Sequence, residues 1–279
     1  MYNTAVGASA GTAVTTGVQN TLIGALAGDA LTDADHNVVV GYAALSSDTL
    51  GSKSIAIGHA ALQVQNFVTA TDAYNVAVGY NAGQQITTGA GNTLIGSLAG
   101  DVITVGAKNV IVGFLCDVAT GAVSNAIVMG DSVSAVGGNN FTFGNGTLDS
   151  NIAFGATSIT APSDERMKED IATSTAGLSF INDLRPVTYK WKKEKDIVNT
   201  LSAYVEGSDK RAINDYTNHG FVAQEVKTAI DNHGEIKDGF DMWMEKDSDG
   251  QQRVAPSALI PMLVKAIQEL TARVAELEG

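Results

Sequence analysis

The stretch Asn20-Thr21-Leu22-Ile23-Gly24-Ala25-Leu26-Ala27-Gly28-Asp29 decides the fold, because it returns almost unchanged at residues 92–101. Its first five residues are one copy of a pentamer, Asn-x-apolar-(Val/Ile)-Gly. The closing glycines of successive pentamers lie 17 residues apart, except for one step of 21. The pentamers are Asn3–Gly7, Asn20–Gly24, Asn37–Gly41, Ser54–Gly58, Asn75–Gly79, Asn92–Gly96 and Asn109–Gly113. A period of this length predicts a solenoid that grew by duplication.

Each pentamer predicts one short strand of a parallel β-solenoid or β-roll. The two residues before each glycine are apolar, so we expect a strand that is buried on both faces and followed by a small-residue turn. A rung of 17 residues has little material with which to close a core, so we expect three chains to share one. The four extra residues predict a bulged loop around Gln65–Ala73.

The asparagine that opens the pentamer has two open interpretations. Stacked at the same rung position, the side chains would form a ladder of amide hydrogen bonds. Alternatively, each asparagine caps its own turn. Both interpretations give the residue a structural role.

Composition divides the chain near residue 162 and limits its partners. Residues 1–162 contain no Glu, Arg or Trp, whereas residues 163–279 contain 15 of the 17 basic residues and both tryptophans. A net charge of -13 argues against a nucleic-acid partner. No apolar run reaches the roughly 20 residues of a membrane span, and one cysteine excludes a disulfide framework. We therefore predict a β-repeat domain at residues 1–162 and an α+β domain at residues 163–279.

The second half carries four sequence blocks. They are Ser163–Ile171, Leu184–Trp191, His219–Val226 and Ala266–Leu270. In this order they resemble the C-terminal intramolecular chaperone of phage tailspikes and tail fibres, which is the self-cleaving peptidase domain of endosialidase tailspikes. The repeats at residues 3–113 are similar to the heads of trimeric autotransporter adhesins and to repeats of bacteriophage fibres.

These resemblances imply a homotrimeric tail fibre or spike that is made in the host cytoplasm and carried on the virion. Its partners would be other tail proteins and a host surface glycan or protein. The family also implies that the chaperone folds the fibre upstream of it and then cuts itself off just before a serine.

The residues supply chemistry for that cut. A serine hydroxyl needs a neighbouring base, and a lysine serves when burial or a cationic neighbour lowers its pKa. Ser163 and Lys168 fit these roles, and the scissile bond would be Pro162-Ser163. Asp164 is predicted to cap a helix that begins near Glu165, and Arg166 to hold a carboxylate or help stabilise an oxyanion. The same residues also fit an ordinary helix N-terminus with Ser163 as its cap, and this alternative stays open.

Other polar residues have weaker claims to a site. His219 either orients the cleavage site or lies in a turn, and Gln224 and Glu225 belong to a helix predicted at Phe221–Ile230, where they make solvated or intersubunit contacts. Asp29, Asp33, Asp35 and His36 suggest calcium, but the stretch lacks the glycine and the final glutamate of an EF-hand loop. We predict neither a metal nor a cofactor.

The chain is predicted to end in a helix from Pro256 onward with an apolar seam. The seam residues are spaced by 3 and 4: Ile260, Leu263, Ile267, Leu270, Val274 and Leu277. Such spacing is typical of a coiled coil. Ile and Val at one seam position with Leu at the other favour two strands, which conflicts with a trimer. The alternative is a helix that packs on its own domain.

Three functional classes remain open from the sequence. The first is a trimeric phage fibre with a removable chaperone, either a fragment of a longer fibre or a small fibre docked by its first rungs. The second is a polysaccharide-degrading tailspike, which usually needs two positioned carboxylates, whereas residues 1–162 offer no Glu and only nine scattered Asp. The third is a bacterial surface adhesin fragment. Tyr42, Tyr80 and Phe114 each follow a rung glycine, either as an exposed stripe for sugar or protein or as rung packing.

Overall fold

The computed structural model describes residues 2–237, 240–245 and 248–279. The chain divides into two compact units. The first ends at Met167, and the second runs from Lys168 to Gly279.

The first unit is a parallel β-solenoid of about eight turns over residues 4–144. Successive rung strands pair in register, so that Thr21 lies beside Val38, and Leu22 beside Val39. The last strand turns back antiparallel to the one before it. The strands are β1 Thr4–Val6, β2 Thr21–Ile23, β3 Val38–Val40, β4 Gly51–Ser52, β5 Ile55–Ile57, β6 Thr71–Asp72, β7 Val76–Val78, β8 Thr93–Ile95, β9 Val110–Phe114, β10 Ala126–Asp131, β11 Asn140–Gly144 and β12 Ser150–Ala153.

Each chain closes its own core. The middle residue of a rung strand points inward, as Leu94 and Ile111 do, and both are fully buried. Apolar residues from the turns, such as Ile86 and Ile103, meet them from the opposite side. The expectation that three chains share one core is therefore wrong, because these turn residues supply the material that the strands alone lack.

The residue before each rung glycine points outward, which corrects the expectation of a strand buried on both faces. Strand side chains alternate in direction, so only the middle residue of three can face the core. Val6 is 58% exposed and Ile95 is 44% exposed. These residues form an apolar line along the solenoid, called here the outer stripe: Val6, Ile23, Val40, Ile57, Val78, Ile95, Val112 and Met129.

The rung asparagines satisfy both interpretations. Asn92 Oδ1 accepts a hydrogen bond from the backbone N–H of Asn109 at 3.0 Å, one rung on. Asn92 Nδ2 donates to the Gly106 carbonyl of its own turn at 3.0 Å and to Asn75 Oδ1 at 3.2 Å. The side chains thus join neighbouring rungs and cap turns at once, and they are buried.

The extra residues of the 21-residue step supply a side chain where the fourth pentamer lacks the asparagine. Ser54 stands where the other rungs have asparagine. The buried Gln65 donates to Ser54 Oγ at 3.3 Å and accepts from Asn75 Nδ2 at 2.8 Å. Its amide therefore takes the place of the missing side chain. Beyond it, β6 pairs with β4, so the extra residues lie in the predicted loop.

The rung glycines are required by close approach. Gly41 has φ +142°, and a Cβ there would lie 2.2 Å from the carbonyl oxygen of Gly58 in the next rung. The regular array continues past Gly113, because β9, β10 and β11 pair in register as far as Gly144.

The second unit is a small α+β fold. Its core holds Phe180, Val226, Ile230 and Met242. The helices predicted at Phe221–Ile230 and from Pro256 are confirmed as α2 and α3. The elements are α1 Leu178–Asp183, β13 Val187–Tyr189, β14 Asn218–Gly220, α2 Ala223–Asn232, β15 Trp243–Glu245, β16 Gln252–Val254 and α3 Ile260–Glu278, which follows a 3-10 turn at Pro256–Leu259.

Candidate cleavage segment and assembly surfaces

The predicted scissile bond lies in an exposed, extended segment. Residues 153–175 are all exposed, and Pro162 and Ser163 belong to no helix or strand. The prediction of a helix near Glu165 is wrong, because the segment forms only the three-residue 3-10 turn Glu165–Met167. None of its residues is buried, and a helix of this length is unstable without packing. The segment is accessible to a nucleophile and to water.

Asp164 organises the residues after the scissile bond. Its Oδ1 accepts from the Arg166 backbone N–H at 2.9 Å, which caps the turn. The Arg166 guanidinium donates to both carboxylate oxygens, from Nε at 3.0 Å and from Nη2 at 2.6 Å. The pair is exposed, so it fixes local geometry more than it stabilises the fold. Arg166 thus holds the carboxylate of Asp164.

Ser163 and Lys168 lie on either side of the boundary between the two units. Ser163 belongs to the end of the first unit, and Lys168 is the first residue of the second. Both side chains are exposed in the single chain. Their pairing as nucleophile and base stays a prediction.

The middle two sequence blocks of the second half lie side by side. Strand β13 pairs with β14 so that Thr188 lies opposite His219. Arg185 Nε donates to Glu225 Oε2 at 3.0 Å, and Arg185 Nη2 donates to Oε1. This contact of Glu225 lies within the chain. His219 is an exposed strand residue rather than a turn residue, and Gln224 is exposed on α2.

His233 lies between two carboxylates, a contact that the sequence did not indicate. His233 Nε2 lies 2.9 Å from Asp183 Oδ2, and His233 Nδ1 lies 3.1 Å from Glu235 Oε1. The hydrogen bond with Asp183 is the main reason that the pKa of His233 is raised. Asp183 lies 50 residues away in the chain, so no local spacing could have indicated the contact. It ties the end of α1 to the end of α2.

Helix α3 has two different faces. Met262, Ala266 and Glu269 face the unit's own core and α1, and Glu269 Oε2 accepts from the first backbone N–H of α1, that of Leu178, at 2.9 Å. The predicted seam faces the other way. Its residues are between 43% and 87% exposed. The helix therefore packs on its own unit and still presents an unpartnered apolar seam: Ile260, Leu263, Ile267, Leu270, Val274 and Leu277.

The predicted aromatic stripe of the solenoid is exposed, and it includes a histidine. The rings of Tyr42 and His59 stack at 5.4 Å between centroids, and those of His59 and Tyr80 at 5.1 Å. Tyr42, Tyr80 and Phe114 are each about half exposed. The three stacked rings belong to three successive rungs.

The acidic stretch near residue 30 is used for rung contacts. Asp33 accepts from Thr16 Oγ1 at 2.5 Å, and Asp35 accepts from the Val18 N–H at 2.7 Å. Within the described ranges, no three His, Cys, Asp or Glu side chains are grouped as a metal site. No described helix is long and apolar enough to cross a membrane.

Comparison with known proteins identifies one part of the chain. No curated protein and no solved structure matches the chain. A family model, Peptidase_S74, described as chaperone of endosialidase, matches residues 163–235, about a quarter of the chain. The match begins at Ser163, the residue that follows the predicted scissile bond. The segment from Ser163 to Glu235 is thus similar to the chaperone of endosialidase.

Proposed function

We propose that the protein is a bacteriophage tail fibre or tailspike subunit that assembles as a homotrimer and attaches to the host. Residues 163–279 act as its intramolecular chaperone. The observation that carries the proposal is the match to the endosialidase chaperone beginning at Ser163, directly after a β-solenoid. We also propose that the repeats are related to those of adhesin heads and that the protein is carried on the virion.

The solenoid and the second unit each leave an apolar surface without a partner. The outer stripe of the solenoid runs over eight rungs, and the seam of α3 runs over five turns. Continuous exposed apolar surfaces of this size mark interaction sites in soluble proteins. Copies of the same chain, aligned in parallel, bring stripe to stripe and seam to seam. A homotrimer therefore accounts for both surfaces.

Self-cleavage is proposed at Pro162-Ser163. Ser163 Oγ attacks the carbonyl carbon of Pro162 while Lys168 Nζ takes the hydroxyl proton. The bond from that carbon to the Ser163 nitrogen breaks, and the nitrogen gains a proton. Water then hydrolyses the resulting ester, which leaves a carboxylate on Pro162 and a free amine on Ser163.

Assembly is expected to precede the cut. A lysine amine acts as a base when its surroundings exclude water or hold another cation. Lys168 is exposed in the single chain. Neighbouring copies would exclude water from it, so cleavage would occur only after the fibre has formed.

A polysaccharide-degrading role has less support. The carboxyl groups of Asp101 and Asp117 come together in the solenoid, but they hydrogen-bond to each other, and Asp117 is only 9% exposed. With Asp117 nearly buried, the pair offers little access to a sugar chain.

Intact-mass measurement of the purified protein tests the proposed cleavage. The parent chain of 28.8 kDa should give two fragments of about 16 and 13 kDa, the first ending at Pro162 and the second beginning at Ser163. Ser163→Ala and Lys168→Ala should each leave the chain whole. Ser158→Ala, an exposed serine five residues upstream, is the matched control and should be cut normally. Normal cutting of Ser163→Ala would eliminate the dyad, and an uncut parent chain would point to a retained cap or to the adhesin alternative.

A further inference from the structure

Two columns of side chains border the sheet face of the solenoid on opposite edges. The leading column consists of the residues just before the rung asparagine, and the trailing column of the residues just after the rung glycine. The outer stripe lies between them. The leading column is Tyr2, Gln19, His36, Lys53, Tyr74, Gly91 and Lys108, and the trailing column is Ala8, Ala25, Tyr42, His59, Tyr80, Ser97 and Phe114.

Both columns are held in register along the solenoid. In the trailing column, backbone hydrogen bonds link the rungs at each step, such as Asn81 N–H to the His59 carbonyl at 2.9 Å. In the leading column, Lys53 Nζ lies 3.4 Å from the Tyr74 hydroxyl and 5.3 Å from the centre of its ring. Asp72 completes this cluster with an ion pair to Lys53 at 2.6 Å. The backbone therefore fixes the positions of the columns along the solenoid, and most of the column side chains remain exposed.

The columns vary together in size over five successive rungs, from His36 with Tyr42 to Lys108 with Phe114, whereas the two rungs before them pair a large side chain with alanine. Large side chains face each other across the strand in three consecutive rungs, and the following rung has Gly91 and Ser97. In the next rung both are large again, with Lys108 and Phe114. The two residues of one rung are six positions apart, and the outer stripe separates them, so they do not pack together within the chain. A contact between copies explains why their sizes are matched.

The leading column also keeps its side chains at a conformational cost. Its residues have left-handed backbone angles, for example φ 60° at Lys108 and 51° at Tyr74. That region disfavours residues other than glycine by roughly 1–2 kcal/mol. Gly91 shows that glycine fits the same position. Large exposed residues there gain nothing from the chain's own core.

We infer that the leading column of one copy packs against the trailing column of the next copy around a three-fold axis, with the outer stripe turned toward that axis. The inference rests on the proposed homotrimer. Copies related by rotation about an axis along the solenoid have their rungs at equal heights. The edge with the leading column on one copy then meets the edge with the trailing column on its neighbour. This is a head-to-tail contact, and the ring closes after three copies.

The width of the sheet face fits three copies. Six residues of strand and turn span roughly 18 Å. Three faces of that width enclose a triangle whose sides lie at least about 5 Å from the axis, close to half of the ~10 Å at which apolar sheets pack, and the column side chains at the corners increase this distance. Four faces would lie about 9 Å from their axis and leave it unfilled. The ring edges of Tyr42 and Tyr80 then meet a neighbour's His36, Lys53 or Tyr74.

Cysteine cross-linking of the full-length protein tests this contact. Tyr74→Cys and Tyr80→Cys, combined in one chain and treated with mild oxidant or a short bis-maleimide, should give a covalent trimer on a denaturing gel. Each single variant should remain monomeric on the gel. The pair Lys108→Cys with Phe114→Cys repeats the test in case the tyrosine variants do not fold. The native Cys116 is buried and should not react.

A control pair and sedimentation separate the outcomes. Gln85→Cys with Tyr80→Cys places one cysteine off the sheet face and should give no covalent trimer. Covalent dimers from a single variant would show that a column meets its own counterpart, which overturns the inference. A sedimenting trimer that neither double variant cross-links overturns it too, leaves the homotrimer intact and frees the columns for a glycan or another ligand. A monomer or dimer in sedimentation removes the homotrimer itself.

Discussion

Replacing Asn92 with alanine tests the side-chain ladder that joins the rungs. The change deletes the acceptor for the Asn109 N–H and the donor to the Gly106 carbonyl, and neither group has another hydrogen-bond partner among the described residues. A buried backbone group left without a partner costs about 1–3 kcal/mol, so the two together should lower the free energy of unfolding by about 2–6 kcal/mol. The native side chain is fully buried, so water cannot readily replace these bonds.

Urea unfolding followed by circular dichroism, at one fixed protein concentration, measures the loss. Asn81→Ala is the matched control, because Ala43 and Ala60 occupy the same rung position with nearly the same φ. It should lower stability by about 1 kcal/mol, because alanine tolerates a left-handed backbone less well than asparagine does. If Asn92→Ala proves as mild as Asn81→Ala, the ladder does not hold the rungs together.

Three further outcomes are expected. Ile95→Asp should abolish trimers in sedimentation, because a charge would be buried in each copy at a cost of several kcal/mol; a normal trimer would place the interface elsewhere. Burial and a hydrogen bond with Asp101 raise the pKa of Asp117 to about 7. Its contribution to stability is therefore complete below pH 3.8 and is lost as the pH rises through about 7. The melting temperature of the parent chain should fall over that range relative to Asp117→Asn, and parallel curves would refute this. Ile267→Asp with Leu270→Asp should lower the yield of trimers but leave unchanged the melting of those that form; an unchanged yield would assign the seam another purpose.

The sequence predicted the solenoid well because its signal is periodic. The rung glycines and asparagines repeat at the spacing of the rungs, and each has a strong steric or hydrogen-bonding reason to recur. The direction of the strand side chains was missed, since both Leu94 and Ile95 are apolar and composition does not show which of them faces the core. The turn residue Ile103, which closes the core, lies outside the pentamer.

The second half was predicted less completely. Its helices α2 and α3 follow from periodicity, but the contacts that place them join distant residues. Glu269 reaches the start of α1 across 91 positions, and Asp183 reaches His233 across 50. Residue type and local spacing do not indicate which distant residues will be in contact. The helix near Glu165 failed because capping residues favour a helix start, yet no apolar face follows to stabilise it.

Refolding tests the central claim, that residues 163–279 assemble the solenoid. The uncut Ser163→Ala chain and the fragment ending at Pro162 are denatured in guanidinium, diluted under the same conditions and analysed by sedimentation. The uncut chain should recover trimers in good yield, because the attached units raise the local concentration of three solenoids. The fragment should fail to recover, since under this account the proposed trimer has no easy route back to the folded state once the chaperone is removed. Equal recovery of trimers from both samples would contradict the account.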